Sequence, residues 1–293
     1  MSRLLIIDGH AYAYRAFHAI RDLRSPAGQP TNAIYGFVKM LEKMRQAIGS
    51  AHLIAVWDGG LSAKRVATLP EYKAQRPEMP EGLRPQLDEM GNYLAAAGLA
   101  EFCGDGVEAD DYIACLARRA ADAGWDVVIA SSDKDFMQLV SERIGLLNPN
   151  DKSGAVWGRE QVRAKSGVEP EQVADWLALM GDAVDNIPGV PGVGTKTAAG
   201  LLQEFGSVAA LYARLGEVKS ERLRTALRES EKIVRRNLEL VRLHEVPCEF
   251  APEKLAVRPP DREKLRGLFR QWGFRGMLAD LEAQQLEQQA ELI

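Results

Sequence analysis

Leu4-Leu5-Ile6-Ile7-Asp8 is a short apolar run that ends on an acid, and the chain repeats the pattern. Leu53-Ile54-Ala55-Val56-Trp57 runs into Asp58, and Val127-Val128-Ile129-Ala130 passes through two serines to Asp133, with Asp135 close behind. Short runs rich in Val and Ile, separated by helical stretches, read as buried parallel strands. Ligands of such sheets bind beyond the carboxyl ends of the strands. Three strands would then bring carboxylates to one place, where like charges need protons or cations to coexist. Hard oxygen donors suit Mg2+ or Mn2+, so the first reading is a divalent-metal site.

Working outward, residues 3 to about 150 alternate strand-like and helix-like segments, the pattern of an α/β domain with a mostly parallel central sheet flanked by helices. Ala33 to Ile48 places Ile34, Phe37, Val38, Leu41 and Met44 near one face of an amphipathic helix. Asp110 to Ala123 reads as a second helix, opened by acids that favour the positive end of its dipole. One more short strand is expected at residues 143–149; from about Arg159 the strands stop and helices follow. The domains are therefore read as 1–160, an α/β domain, and 161–280, a helical domain, with a Gln- and Glu-rich flexible tail at 281–293.

Composition is consistent with a soluble enzyme. No apolar stretch approaches the roughly 20 residues needed to span a bilayer, and Met1-Ser2-Arg3 leads straight into a strand rather than a signal peptide. Cys103, Cys115 and Cys248 match neither a disulfide framework nor a zinc pattern, which points to a reducing cytoplasm. The net charge of −4 comes from 41 acids against 37 lysines and arginines. Nine of the acids are candidate metal ligands: Asp8, Asp58, Glu108, Asp110, Asp111, Asp133, Asp135, Asp182 and Asp185. Without them the remaining surface is net positive, which is compatible with phosphate binding.

Three further stretches carry chemistry. Gly106-Val107-Glu108-Ala109-Asp110-Asp111 puts three acids at a helix start, with Glu108 and Asp111 on one face. Taken alone, that is also an ordinary charge arrangement for a helix N-terminus. Leu61 to Pro85 interleaves Lys64, Arg65, Lys73, Arg76 and Arg84 with Tyr72. This suits a groove that tracks a nucleic-acid strand, although a solvated loop has the same composition. The glycines of Ile187 to Thr197 let backbone N–H groups approach a phosphate at the next helix, and Lys196 adds charge. The spacing is not that of a P-loop. A helix-hairpin-helix that grips the duplex backbone fits better, with a purely structural turn as the other reading.

Read together, these motifs resemble the 5′-to-3′ exonuclease and flap endonuclease family, as in the N-terminal nuclease domain of bacterial DNA polymerase I. The resemblance covers residues 3 to 280. It rests on Asp8-Gly9 with Arg15, Trp57-Asp58 with Arg65, Tyr72-Lys73-x-x-Arg76-Pro77 and Gly106-x-Glu108-Ala109-Asp110-Asp111. Ser132-Asp133-Lys134-Asp135 and Gly181-Asp182-x-x-Asp185-Asn186-Ile187-Pro188-Gly189 complete it. No polymerase region is read after it, so the resemblance implies a free-standing nuclease with a PIN/resolvase-like fold and a helical H3TH region.

The resemblance implies two Mg2+ ions, replaceable by Mn2+. One would lie near Asp8, Asp58, Glu108 and Asp110 or Asp111, the other near Asp133, Asp135, Asp182 and Asp185. It implies that Arg15, Arg65 and Lys73 steady the scissile phosphate, that Tyr72 stacks on a flipped terminal base, and that Arg76 contacts DNA. Residues 60–85 would form a helical arch. Within a helix-hairpin-helix at 174–205, Gly192, Val193, Gly194, Thr195, Lys196 and Thr197 would grip the duplex, and backbone carbonyls of Leu179, Met180, Pro188, Val190 and Val193 would hold K+. The expected substrates are DNA 5′ ends, flaps and nicked duplex, for a monomer working beside a separate polymerase. The alternative is a flap-binding paralogue with little cleavage; such paralogues lack acids where Asp182 and Asp185 stand. Ser132, Trp57 and Ala183 depart from the family's usual Gly, Phe, and Ser or Thr, and Ser132 is the one expected to crowd the site.

Overall fold

The structure, a computed structural model, describes residues 2–291. In chain order it begins β1 (Arg3–Asp8), α1 (Gly9–Ala19), α2 (Asn32–Ile48), β2 (His52–Trp57), α3 (Ala63–Thr68), α4 (Arg84–Ala96) and β3 (Ala100–Cys103). It continues α5 (Ala109–Asp122), β4 (Asp126–Ala130), β5 (Ile144–Leu147) and β6 (Val156–Trp157), then turns helical from Arg159. The expected α/β architecture with a mostly parallel sheet, followed by helices, is the one observed.

Compactness divides the chain into two interleaved units, a different partition from a single boundary near residue 160. One unit comprises Arg3–Trp57, Met79–Phe102 and the chain from Ala251 onward. Its strands run in the order β3-β2-β1. β1 and β2 are parallel, with Leu4 opposite His52 and Asp8 opposite Val56. Both strands are apolar on both faces because both are covered: Leu4, Leu5, Ile6, Ile7, Leu53, Ala55 and Val56 are fully buried. The face of α2 expected to pack does so, and Phe37 stacks on Trp57 at 5.7 Å. The Trp57 indole N–H donates to Glu101 at 2.9 Å, so the unusual indole is accommodated with its polar atom satisfied. The expected tail is helical as far as Glu291, in the helix Arg275–Glu291, and Leu281 is buried. Leu, Ala, Gln and Glu are strong helix formers. Residues 292–293 lie outside the described residues.

The other unit comprises Asp58–Glu78 and Cys103–Phe250, with Ser2. β4 and β5 pair in parallel, and β6 returns antiparallel on β5. The α5 helix buries Ile113, Ala114, Cys115, Leu116, Ala117 and Ala120. Strands do not stop altogether after Arg159. Gly181–Asp182 and Ile187–Pro188 form a two-residue antiparallel ladder, and the turn between them presents Asp182 and Asp185. That ladder requires glycine at 189, where a Cβ would lie 2.2 Å from the Met180 carbonyl oxygen. The helices Val173–Met180 and Thr195–Phe205 flank the Gly- and Pro-rich turn.

Candidate active site

Asp58 follows β2 directly, in a turn fastened to the one that precedes Glu108. Gly59 N–H donates to the Val107 carbonyl and Gly106 N–H to the Gly59 carbonyl, both at 3.0 Å. A Cβ at Gly59 would fall 1.8 Å from the Gly104 oxygen, so no other residue permits the approach. The first acids of α5 are thereby fixed beside Asp58.

Glu108 and Asp111 close around one cation. Arg65 donates from Nη1 to Glu108 Oε2 at 2.6 Å and to Asp111 Oδ2 at 2.7 Å, and from Nη2 to Asp111 Oδ1 at 2.8 Å. Its remaining N–H groups reach the carbonyls of Leu240 at 2.9 Å and Arg242 at 3.0 Å. Burial works against the guanidinium, but Asp111 and Glu108 outweigh it and the pKa is raised. With every donor engaged and 3% exposure, Arg65 does not face a phosphate as the resemblance implied. Asp111 is closed in the same way, since its Oδ1 also accepts the His244 N–H at 2.8 Å. Glu108 Oε1 accepts the Ser62 N–H at 3.0 Å.

Tyr72 and Lys73 complete this cluster from the 70–76 turn. Tyr72 is buried, and its hydroxyl lies 3.3 Å from Glu108 Oε2 and 3.4 Å from Asp185 Oδ2. Burial, then Asp185 and Glu108, raise its pKa. The Tyr72 hydroxyl is thus turned towards the two acids. Lys73 is buried too, its ammonium 3.3 Å from Glu108 Oε2 and 4.0 Å from Asp110 Oδ2. Burial disfavours its charge, but Asp110, Glu108 and Asp185 together raise its pKa. Asp110 is the accessible acid of the helix start, with 22% side-chain exposure.

Asp135, Asp182 and Asp185 form the second cluster, each offering an oxygen within 4.8 Å of the others. Asp135 Oδ1 is buried without a hydrogen-bond partner among the described residues. Burial, then Asp133, Asp110, Asp185 and Asp182, push the Asp135 carboxyl well above its ordinary range. Burial also raises Asp133, whose Oδ1 accepts the Asp135 N–H at 2.9 Å. Two cations partly neutralise the group: Lys134 Nζ lies 3.0 Å from Asp182 and Arg76 Nη2 2.6 Å from Asp185. The sequence motif contained Lys134, but its role was legible only once Asp182 was placed against it. An all-oxygen donor set with an orphaned buried oxygen, its Asp135 carboxyl raised by burial and neighbouring charge, fits a hard divalent cation.

Asp8 belongs to the other compact unit, where it is buried at the end of β1 and its Oδ1 caps α1 by accepting the Ala11 N–H at 3.0 Å. Arg15 is exposed on α1. Gly192, Gly194, Thr195 and Lys196 are exposed at the hairpin, Thr197 is half-buried and Val193 is buried. Of the carbonyls implied for K+, Leu179 accepts the Val190 N–H at 2.8 Å, and Val190 accepts the Val193 N–H at 3.0 Å. Pro188 accepts Asn237 Nδ2 at 2.7 Å. A second lone pair remains on each. Ser132 is exposed and is not among the non-glycine residues with left-handed backbone, so the crowding expected there does not arise. No helix among the described residues is long and apolar enough to cross a membrane.

Two family profiles match the chain: "5′-3′ exonuclease, N-terminal resolvase-like domain" over residues 3–167 and "5′-3′ exonuclease, C-terminal SAM fold" over 168–263. DNA polymerase I of Pseudomonas aeruginosa is 41% identical over 286 residues, which cover 95% of this chain and 31% of that protein. The chain thus spans about a third of the polymerase relatives it matches. The 5′-3′ exonuclease of Aquifex aeolicus is 37% identical, with 96% of each chain covered. The T5 5′-exonuclease with bound divalent metal ions (zinc) superposes with a TM-score of 0.68 at 27% identity, over 82% of this chain and 89% of that one. On the profile matches and the relative covered along nearly its whole length, the chain belongs to the 5′-3′ exonuclease family.

Proposed function

We propose that this protein hydrolyses DNA phosphodiester bonds at 5′ ends and 5′-flap junctions, with two Mg2+ ions that Mn2+ replaces. The observation that carries this is the Asp135–Asp182–Asp185 cluster, whose oxygens converge within 4.8 Å around an orphaned Asp135 oxygen in a chain of this family. These three acids, with Asp133 through water, would hold one ion. Asp110 and Asp58 would hold the other, beside Glu108. Bound divalent ions supply a water acidic enough to attack at neutral pH and stabilise the attacking and leaving oxygens.

The chain's own groups supply position and charge. Lys73, buried and held cationic by its acidic neighbours, would meet the scissile phosphate once Asp110 is neutralised, and Arg76 would add a phosphate contact. Arg65 holds the helix start in place rather than touching DNA. Tyr72 positions Glu108 and Asp185. Residues 60–85 would form the arch over the strand, and Gly192 to Thr197 would grip the duplex, with K+ on the carbonyls of Leu179, Met180, Pro188, Val190 and Val193. The nuclease part is read as 1–160 and the duplex-gripping part as 161–280, acting as a cytoplasmic monomer beside a polymerase. Cleavage of a 5′-flap duplex labelled at either end tests the reading. Cuts at the junction in Mg2+, abolished by chelator, are expected; tight binding without cutting would leave only a flap-binding protein.

A further inference from the structure

Two non-glycine residues with left-handed backbone face one another in the Asp58–Glu78 and Cys103–Phe250 unit: Lys73, φ 56°, and Asn186, φ 58°. Asparagine tolerates this conformation and lysine rarely adopts it. Such a conformation persists where the surroundings over-determine it. Here two crossed hydrogen bonds do so. The Lys73 N–H donates to the Asp185 carbonyl at 3.0 Å, and Asn186 Nδ2 donates to the Glu71 carbonyl at 2.9 Å. Between them the Tyr72 hydroxyl meets Glu108 and Asp185, and beyond them Arg76 pairs with Asp185. The turn that carries Lys73 is thus fastened to the turn that carries Asp182 and Asp185. The unusual Lys73 backbone sends its ammonium to Glu108 and Asp110.

We propose that Asn186 is a positioning residue: its side chain clasps Glu71 and so sets the Lys73 ammonium against the acids of the helix start. This rests on the reading of Lys73 as the phosphate-facing cation. The Asn186 side chain donates to the Glu71 carbonyl and to neither acid cluster, so it would act through the turn that carries Lys73. The sequence offered a faint signal, an Asn directly after a candidate ligand and before Ile-Pro.

Asn186→Gly is the informative variant, because glycine keeps the left-handed backbone and removes only the clasp. Amide exchange of the 70–77 segment is expected to accelerate. Single-turnover cleavage of a 5′-flap duplex in Mg2+ is expected to slow by about tenfold or more, as for a displaced catalytic group, with flap affinity retained. In a Lys73→Ala background the same change should have little further effect, since the two residues act as one. Asn186→Asp, which keeps the shape and loses the donor, should match Asn186→Gly. Unchanged exchange and cleavage in Asn186→Gly, or an equal slowing with and without Lys73, would overturn the proposal. Wild-type protein that fails to cut in Mg2+ would instead remove the nuclease reading on which it stands.

Discussion

Arg65 and Asp111 form a buried two-point ion pair, Nη1 to Oδ2 at 2.7 Å and Nη2 to Oδ1 at 2.8 Å, with neither side chain more than 3% exposed. The geometry is the planar fork that arginine offers and lysine cannot. It places a residue expected at the phosphate in the framework instead. Removing one partner of such a pair leaves the other charged and uncompensated. Arg65→Ala is therefore expected to lower unfolding free energy by about 3–5 kcal/mol, read from urea denaturation in metal-free buffer. Arg65→Lys should recover only a fraction of that loss. A stable, merely inactive Arg65→Ala protein would return Arg65 to the phosphate.

The same contacts separate two adjacent acids. Asp111 is closed off by Arg65 and the His244 N–H, whereas Asp110 is accessible. Asp110→Asn should abolish Mg2+-dependent cleavage at a smaller stability cost than Asp111→Asn, because its carboxyl is part-exposed. Asp111→Asn should show the reverse emphasis, with destabilisation of about 3 kcal/mol or more. Thermal melts and single-turnover assays on both proteins decide it.

Much of this was legible in the sequence, and the part that was not has a common cause. Strand-end and helix-start acids were readable because burial and charge follow the local period: Asp8, Glu108 and Asp182 are each tied to their own element. The partners of Arg65 were not readable. The carbonyls of Leu240 and Arg242 lie 175 and 177 residues away, and nothing in their own side chains advertises them. Tyr72 and Lys73 looked like solvent-facing members of a basic loop because composition cannot show that a turn folds inward. The interleaving of the two compact units is likewise a property of long-range packing. Even the short ladder at Gly181–Asp182 and Ile187–Pro188 is too brief to leave a periodic signal.

Lys196 is exposed at the second residue of the helix Thr195–Phe205, after the exposed Gly192 and Gly194. Contact with phosphate alone carries no sequence information. Lys196→Ala should weaken duplexes of every sequence about equally and lower the salt slope of binding by about 1. Fluorescence anisotropy at several salt concentrations gives both quantities. A loss confined to certain sequences would mean that the hairpin reads bases.

Cys248 offers a pH-dependent check on the Cys103–Phe250 unit. Burial, reinforced by Cys115, pushes its thiol from 9.0 up to about 12. The raised value means that the folded state holds its proton after the unfolded state has released it. This contribution to stability is therefore complete below pH 9 and lost as pH rises from 9 to 12. Cys248→Ala should flatten that part of the stability curve, and Cys248 should resist thiol reagents at pH 8 while exposed Cys103 reacts. Equal labelling of both thiols would contradict the raised pKa of half-buried Cys248.

The central claim is that the acid clusters are ligands for two divalent ions, and counting the ions tests it most directly. Mn2+ titration followed by electron paramagnetic resonance should give two bound ions per wild-type chain in the presence of flap duplex. The Asp182→Asn/Asp185→Asn protein should bind one, with its affinity for flap duplex retained. A double variant that binds the same number of ions as wild type would show that the Asp135–Asp182–Asp185 cluster is not a metal site.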